Sequence, residues 1–352
     1  MSATEPVAVA MSGGVDSAVT AALLLERGHR VRGVTARFWR EGGEADQDMA
    51  SARAVCRRLG IDHEVVDLAD EFYRAVVQHF VAEYAAGRTP NPCIACNREL
   101  KFGLLLDRVV ARGERLATGH YARIVAAAEG LRLHAGVDAA KDQSYFLYML
   151  GQTHLSRILL PLGEWRKSAV IEQARALGLP AAERAESQDV CFIADGDYRR
   201  FIREHAPGLL RPGPIEDRSG RVLGEHGGLA LYTVGQREGL GIAVGEPLYV
   251  LRLDAPRNAL VVGPADALGQ RALLADEMVY VAGAAPAAGM ALQAKIRYRA
   301  RQVACALFDL GEQTARIEFA APLRDITPGQ AVVVYNGTEV IGGGAIRCAL
   351  DD

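Results

Sequence analysis

The stretch that most constrains the fold lies near the start of the chain, where an apolar run meets two glycines. Val7–Met11 predicts a buried parallel strand, and residues 18–27 predict a helix that ends at Gly28. Between them, Ser12–Ser17 has the sequence Ser-Gly-Gly-Val-Asp-Ser. Glycines let the backbone approach a ligand closely, and the amides at a helix N-terminus favour an anion. The stretch predicts a phosphate-binding loop; the alternative is an ordinary glycine-rich strand-to-helix turn.

This loop is not a Walker loop, because no Gly-Lys-Ser/Thr sequence ends it. It resembles the loop of the ATP pyrophosphatases, which cleave ATP to AMP and pyrophosphate and leave an adenylated substrate. The resemblance implies ATP and Mg²⁺ as cofactors, with Asp16 as the candidate magnesium ligand. Capping of the helix is the alternative role of Asp16.

Composition narrows the class of protein. The chain has 352 residues, enough for two or three domains, and its net charge of -3 confines any RNA contact to local patches. No apolar run approaches the roughly 20 residues that span a bilayer, and residues 1–6 lack the features of a signal peptide. We therefore expect a cytoplasmic protein without membrane contact. Six cysteines in such a chain favour packing, catalysis or metal binding over a disulfide framework.

Residues 1–200 alternate between strand and helix patterns, which predicts an α/β domain with a doubly wound parallel sheet. Further strands are predicted over 31–39, 63–66 and 116–119, and helices over 46–59, 70–86, 98–110, 141–147 and 165–177. Ligands of such sheets bind at the carboxyl ends of the strands, where Met11, Ala36 and Gly119 should meet. Two prolines predict an extended loop over 87–97, with Cys93 and Cys96 on it.

The sequence pattern changes after about residue 207, where Gly and Pro become frequent. Residues 205–268 predict a small β-rich central module, and 270–350 predict a C-terminal antiparallel β-barrel. Within the barrel, Lys295, Arg297, Arg299 and Arg301 alternate with other residues, so a strand would present all four cations on one face. That face favours phosphate contact over the alternative of a solvated outer strand.

Seven motifs in a fixed order give a more specific resemblance. They are Ser12–Ser17, Pro90–Asn97, Ala117–Tyr121, Lys141–Tyr145, Val190–Ile193, Thr233–Arg237 and Tyr335–Gly337. Over nearly its full length, the chain resembles the tRNA-specific 2-thiouridylase family. The resemblance implies an ATP-dependent transferase that inserts sulfur at C2 of the wobble uridine of tRNA, with a sulfur-donor protein or persulfide relay as a second partner.

Two cysteines suit this chemistry. Adenylation of the uridine C2 oxygen makes it a good leaving group, and a thiolate or persulfide is the nucleophile that can replace it. By resemblance, Cys191 carries the persulfide. Cys96 is the second catalytic thiol, which either forms a disulfide with Cys191 or forms an adduct with the base. The local sequence alone instead favours a buried structural Cys191, and the polar run 186–189 before it predicts a mobile segment.

The other site residues are carried over by motif. The predicted ATP-binding residues are Ala10, Met11, Ser12, Gly13, Gly14, Val15, Asp16, Ser17, Ala36 and Gly119. The predicted tRNA-binding residues are Asn91, Pro92, Cys93, His120, Lys141, Asp142, Gln143, Arg297, Tyr298 and Gln330. The alternative role of His120 is that of a hydrogen-bonded histidine after a strand. Cys56, Cys305 and Cys348 are expected to be packing residues.

The chain departs from the commonest family pattern at one position, where Cys93 replaces an aspartate. Three thiolates (Cys93, Cys96 and Cys191) could hold a [4Fe–4S] cluster with one open iron, which is an alternative to the persulfide route. A structural zinc half-site is weaker, because no second Cys-x-x-Cys follows. Two other functions stay open: an ATP pyrophosphatase that amidates or ligates a small molecule, and a non-catalytic RNA-binding protein.

Overall fold

The computed structural model describes residues 5–39, 43–182, 190–193, 195–242 and 245–350. The N-terminal strands are β1 (Pro6–Ala10), β2 (Arg30–Arg37), β3 (His63–Asp67), β4 (Arg115–Ala117), β5 (Ala122–Ala127), β6 (Gly130–Ala135) and β7 (Ile158–Leu159). Five of them form a parallel sheet in the order β3-β2-β1-β4-β7. Val7, Ala8 and Val9 are fully buried at its centre, as expected of a strand covered on both faces. The predicted parallel sheet is confirmed.

The helices that cover this sheet follow the predicted apolar patterns, with small shifts at their ends. They are α1 (Val15–Glu26), α2 (Gly43–Leu59), α3 (Ala69–Phe72), α4 (His79–Ala85), α5 (Pro92–Ala95), α6 (Leu106–Val110), α7 (Gln152–Leu155) and α8 (Lys167–Ala176). A π-helical segment, Tyr73–Gln78, joins α3 to α4, and a second, Cys96–Leu105, joins α5 to α6. The helix predicted over 141–147 is only a 3₁₀ turn, Ser144–Leu147.

The extended loop predicted over 87–97 is wrong in its second half. Helix α5 begins at Pro92, and Cys93 and Cys96 lie in the first turns of the helical run. A proline is tolerated there because the first amides of a helix have no partner within it. Asn91 caps the turn, since its Oδ1 accepts a hydrogen bond from the Ile94 amide at 3.3 Å. Both thiols are therefore held by helical backbone.

The central module follows α9 (Tyr198–His205) and contains a four-stranded sheet. Its strands are β8 (Gly213–Glu216), β9 (Val222–His226), β10 (Tyr249–Asp254) and β11 (Ala259–Gly263), in the order β10-β11-β8-β9. Three short 3₁₀ turns, Pro207–Leu209, Leu229–Leu231 and Ala265–Leu268, flank these strands. Among the described residues, no helix is both long and apolar enough to cross a membrane.

The C-terminal part is a closed antiparallel barrel, as predicted. Its strands are β12 (Gln270–Tyr280), β13 (Leu292–Lys295), β14 (Val303–Gly311), β15 (Thr314–Leu323), β16 (Ala331–Asn336) and β17 (Glu339–Leu350). They pair in the order β12-β15-β14-β13-β16-β17, and β17 pairs again with β12, which closes the barrel. Closure leaves no open edge among these six strands.

The predicted basic strand is wrong beyond its first cation. Strand β13 ends at Lys295, so Arg297, Arg299 and Arg301 lie in the connection to β14. Tyr298 in this connection packs on Phe146 with ring centroids 4.4 Å apart. That contact with the N-terminal part favours a turn over continued strand pairing, and the period-two argument fails.

The sequence did not predict that the N-terminal part and the barrel share one sheet. The hairpin β5–β6 joins the barrel through β17, where Leu133 lies opposite Val340. One apolar core accordingly contains residues from both parts, including Ala8, Tyr145 and Tyr335. The predicted boundaries at about 200 and 270 stay predictions, but the two parts do not pack as independent bodies.

We expect Leu133→Ala to lower the free energy of unfolding by about 2–5 kcal/mol, the usual cost of emptying a fully buried leucine site. Because its core spans both parts, urea unfolding should remain a single transition. Val125→Ala, on the exposed face of the adjacent strand β5, is the control and should change stability little. Separate transitions for the barrel and the N-terminal part would contradict the shared core.

Candidate active site

The loop between β1 and α1 has the form that a phosphate group requires. Gly13 has φ of +79°, and a Cβ there would overlap the backbone oxygen of Asp48. Ser17 Oγ donates to the Gly14 carbonyl at 3.0 Å and accepts from the Ser12 amide at 3.3 Å, which holds the loop closed. Gly14 is the N-cap residue of α1 and makes no side-chain hydrogen bond there. The N-terminus of the helix is therefore not occupied by a capping side chain.

Lys167, a residue that the sequence analysis missed, neutralises the charge of this loop. Its Nζ lies 2.7 Å and 2.9 Å from the two carboxylate oxygens of Asp16, and its side chain is only 9% exposed. Tyr121 Oη donates to the same carboxylate at 2.7 Å. Two donors thus hold the Asp16 carboxylate, while its side chain stays 33% exposed, and its role as a magnesium ligand stays a prediction.

Gly119 lets the end of β4 approach the loop. A Cβ at this position would lie 2.9 Å from Asp16 Cβ and 3.1 Å from the Ser17 amide nitrogen, closer than real Cβ contacts allow. Ala36 lies near the carboxyl end of β2, which is paired with β1. The structure therefore gathers the loop, Ala36 and Gly119 at one edge of the sheet, as the strand order predicted.

His120 follows Gly119 and links this edge to the helical run that bears the cysteines. Its ring lies 5.7 Å from that of Phe102, and its Nδ1 is 2.8 Å from Thr118 Oγ1. Burial, and then the positive charge of Lys101, lower the pKa of His120 to about 3. The imidazole is therefore neutral at physiological pH and can exchange hydrogen bonds without adding charge.

Cys96 and the residues on either side of Cys191 pack into one aromatic core. Cys96 is buried, 7% exposed, and packs in the same cluster as Phe192 and Ile193, the residues that follow Cys191. Phe192 contacts four rings, with centroid distances of 5.2–6.1 Å. These contacts anchor the segment after Cys191 next to the helix that bears Cys96. Residues 186–189, where a mobile segment was predicted, lie outside the described residues.

Cys191 itself is exposed, so the buried structural cysteine favoured by its local sequence is wrong. Its apolar neighbours Val190 and Phe192 turn inward instead. Enough protein surrounds the thiol to desolvate its anion; this, followed by the charges of Cys96 and Cys93, raises the pKa of Cys191 to about 12. Burial raises the pKa of Cys96 to about 11. Both thiols are free, not joined in a disulfide.

The iron–sulfur alternative is not supported. Cys93 is exposed, Cys96 is buried and Cys191 is exposed on the neighbouring segment. In the part of the chain that the structure describes, no group of three His, Cys, Asp or Glu side chains is arranged to hold a metal ion. Cys56 is buried in α2, while Cys305 and Cys348 are half-buried on barrel strands.

Several predicted tRNA-binding residues have structural bonds of their own. Asp142 is buried and accepts from the Gly136 and Ser144 amides at 3.1 and 3.0 Å. Gln143 Oε1 accepts from the Tyr121 amide at 3.1 Å. These side chains shape the turn before the Ser144–Leu147 segment, and their contact with tRNA stays a prediction.

Two predicted tRNA-binding residues of the barrel, Gln330 and Arg297, also have structural bonds of their own. Gln330 Nε2 donates to the carbonyls of Thr89 and Pro90 at 2.9 and 3.2 Å, just before helix α5. Arg297 forms an ion pair with Asp325 at 3.0 Å. Arg299 and Arg301 are exposed and have no ion pair with any described residue. The contacts of Gln330 make it a support for the cysteine helix.

A glycine-rich anion loop at the carboxyl edge of a parallel sheet defines an α/β nucleotide-binding enzyme domain. Three family models match the chain: tRNA methyl transferase HUP domain over residues 5–195, tRNA methyl transferase PRC-barrel domain over 199–264, and Aminomethyltransferase beta-barrel domain over 270–346. Their names refer to methyl transfer, whereas two free cysteines on segments that pack together suit sulfur chemistry better.

The names of similar proteins agree with sulfur chemistry. A tRNA-specific 2-thiouridylase of Roseiflexus castenholzii is 48% identical, covering 97% of this chain and 98% of the relative. One of Heliobacterium modesticaldum is 49% identical, covering 99% and 94%. A solved 4-thiouridine synthetase–RNA complex with bound ATP is 18% identical, covers 58% of this chain and 50% of its own, and has a TM-score of 0.35. The chain belongs to the tRNA-specific 2-thiouridylase family, and it is therefore an enzyme of the transferase class.

The contribution of the Asp16–Lys167 ion pair to stability can be tested by substitution. Asp16→Ala should lower the free energy of unfolding by about 1.5–3 kcal/mol, because it leaves the buried Lys167 ammonium without its charged partner. Substitution of a loop residue that contacts only solvent would instead leave the free energy of unfolding nearly unchanged. The double variant Asp16→Ala/Lys167→Met should recover part of that stability but not AMP formation. Equal stability of wild type and Asp16→Ala in urea unfolding would contradict this account.

Proposed function

We propose that the protein uses ATP to replace the C2 oxygen of a tRNA wobble uridine with sulfur. The observation that carries the proposal is the approach of the Cys96 helix to the Cys191 segment, beside the ATP-type loop. Gly119 contacts that loop, and His120, the next residue, contacts Phe102 of the cysteine helix. A base activated at the loop would thus lie near the helix that bears Cys96 and the segment that packs on it.

The reaction divides into two balanced steps. In the first, the C2 oxygen of uridine attacks the α-phosphorus of ATP, and pyrophosphate leaves. In the second, the terminal sulfur of a persulfide on Cys191 attacks C2, and AMP leaves with the oxygen. The Cys96 thiolate then attacks the inner sulfur of Cys191. The S–S bond to the base breaks, sulfur stays on C2 with both electrons, and Cys96 and Cys191 become a disulfide.

The chain's own residues have defined parts in this scheme. The loop amides and the serines 12 and 17 would bind the phosphates of ATP, with Ala36 and Gly119 next to the nucleoside. Lys167 would supply a positive charge that a Walker lysine supplies elsewhere. Asp16, whose side chain is one-third exposed, would be the residue to hold Mg²⁺, which would offset the charge of the ATP phosphates. We also propose that a sulfur-donor protein or persulfide relay loads Cys191, whose exposure allows access, and that a reductant reopens the disulfide.

Cysteine substitutions test the sulfur route. Cys96→Ser and Cys191→Ser should each abolish tRNA thiolation, because neither hydroxyl can carry or release sulfur. Cys348→Ser, a half-buried control on β17, should retain it. Mass spectrometry of tRNA nucleosides, after incubation with ATP and a persulfide donor, is the measurement. Thiolation by Cys191→Ser would overturn the proposed route. An iron chromophore in the wild type that Cys93→Asp loses together with activity would favour a cluster.

Electrostatic contact with tRNA is the second test. Arg299 and Arg301 are exposed cations without ion pairs to described residues, next to Tyr298, which touches the N-terminal part. Arg299→Glu/Arg301→Glu should weaken tRNA binding at low salt and reduce the slope of log affinity against log salt by about 1–2, since each phosphate contact contributes about 0.7–0.9. Arg271→Glu, at the start of β12, is the control. An unchanged slope in filter binding would assign these arginines to solvent.

A further inference from the structure

Tyr121 joins two segments of the candidate site that lie far apart in the chain. It is buried between β4 and β5, with only 2% of its surface exposed. Its Oη donates a hydrogen bond to Oδ1 of Asp16, in the nucleotide loop, at 2.7 Å. Its backbone is bonded to Gln143, which belongs to the segment predicted to contact tRNA. The side chain of Tyr121 therefore reaches the loop from a backbone that the Gln143 segment holds.

Gln143 holds the backbone of Tyr121 at two points. Oε1 of Gln143 accepts a hydrogen bond from the Tyr121 amide at 3.1 Å, and the Gln143 amide donates to the Tyr121 carbonyl at 2.9 Å. Gly136 encloses the same carbonyl, because a Cβ at Gly136 would lie 2.9 Å from its oxygen. Asp142 holds Gly136 in turn, since its Oδ1 accepts from the Gly136 amide at 3.1 Å. Both backbone polar groups of Tyr121 are thus bound, which fixes the place of its ring.

The two donors on the Asp16 carboxylate are shared unequally between its oxygens. Oδ1 accepts from Tyr121 Oη and from Lys167 Nζ, each at 2.7 Å. Among the residues that the structure describes, Oδ2 accepts only from Lys167, at 2.9 Å. The terminal torsion of a carboxylate is soft, so a second donor on one oxygen decides which oxygen points inward. Oδ2 keeps the greater capacity for another partner.

We propose that Tyr121 is a positioning residue for nucleotide binding, whose hydroxyl orients the Asp16 carboxylate for Mg²⁺ and ATP, and that Gln143 acts through Tyr121. The inference rests on the proposed function, because it requires that the loop bind ATP. It gives Gln143 a part in supporting the nucleotide loop, besides its predicted contact with tRNA. Tyr121 exchanges no proton in this role.

Equilibrium dialysis of the full-length protein with α,β-methylene ATP and Mg²⁺ tests the inference, because this nucleotide cannot be cleaved to AMP. Tyr121→Phe removes only the hydroxyl. It should weaken binding about tenfold, the lower end of the loss that follows when a hydrogen bond orienting a ligating carboxylate is removed. Tyr145→Phe is the matched control. Tyr145 is also buried, and its Oη donates at 2.8 Å, but to the Ala331 carbonyl of the barrel, so this variant should leave nucleotide affinity unchanged.

Two further comparisons separate an orienting role from a general loss of structure. Tyr121→Phe should cause no further loss of affinity in the Asp16→Ala background, because the hydroxyl acts only through that carboxylate. Gln143→Met, which leaves the tyrosine hydroxyl in place, should weaken nucleotide binding in the absence of tRNA. Gln143→Glu keeps an accepting oxygen and should stay close to the wild-type affinity. Urea unfolding shows whether each variant is folded.

Equal affinities of wild type and Tyr121→Phe would overturn the inference while leaving the proposed function intact. A further loss of affinity from Tyr121→Phe in the Asp16→Ala background would also overturn it, since the hydroxyl would then act elsewhere. If the wild-type protein does not bind the nucleotide at all, the proposed function and the inference fail together.

Discussion

The structure depends on the burial of one helical run, Pro92–Val110, between the parallel sheet and the barrel. Ile94, Phe102 and Leu105 pack into the core shared with the barrel, while Ala95, Cys96 and Leu100 pack into the aromatic core around Phe192. This double burial stabilises the helix far beyond its propensity, because packing of an apolar face supplies most helical stability in proteins. It also fixes the depth at which the Cys96 thiol lies.

Polar contacts from the barrel hold the start of this run. Gln330 binds the Thr89 and Pro90 carbonyls, and the Thr89 amide donates to the Pro328 carbonyl at 2.8 Å. Further along, Arg98 forms an ion pair with Glu277 of β12 at 2.6 Å. The C-terminal barrel thus supports the cysteine helix directly. A tRNA that contacts the barrel would act on the same residues that support the cysteine helix.

The charged groups of the loop and the two thiols lie in different electrostatic environments. Lys167 is paired with Asp16, and that pair holds the start of α1 against the helix that begins at Lys167. Burial raises the pKa of the Cys96 and Cys191 thiols. A desolvated thiol is a poor nucleophile because its anion is rare.

The sequence by itself determined the glycine loop, the parallel sheet and the barrel, because these depend on local patterns: apolar runs, glycine positions and alternation. The ordered motifs likewise identified the family, and they predict Cys96 and Cys191 as its two catalytic thiols. Tertiary structure decided what local patterns do not encode. Packing of Tyr298 on Phe146 ended the basic strand, and double burial extended the cysteine helix back to Pro92. The contact of Lys167 with Asp16 joins segments far apart in the chain, so only the folded chain brings that charge to the loop.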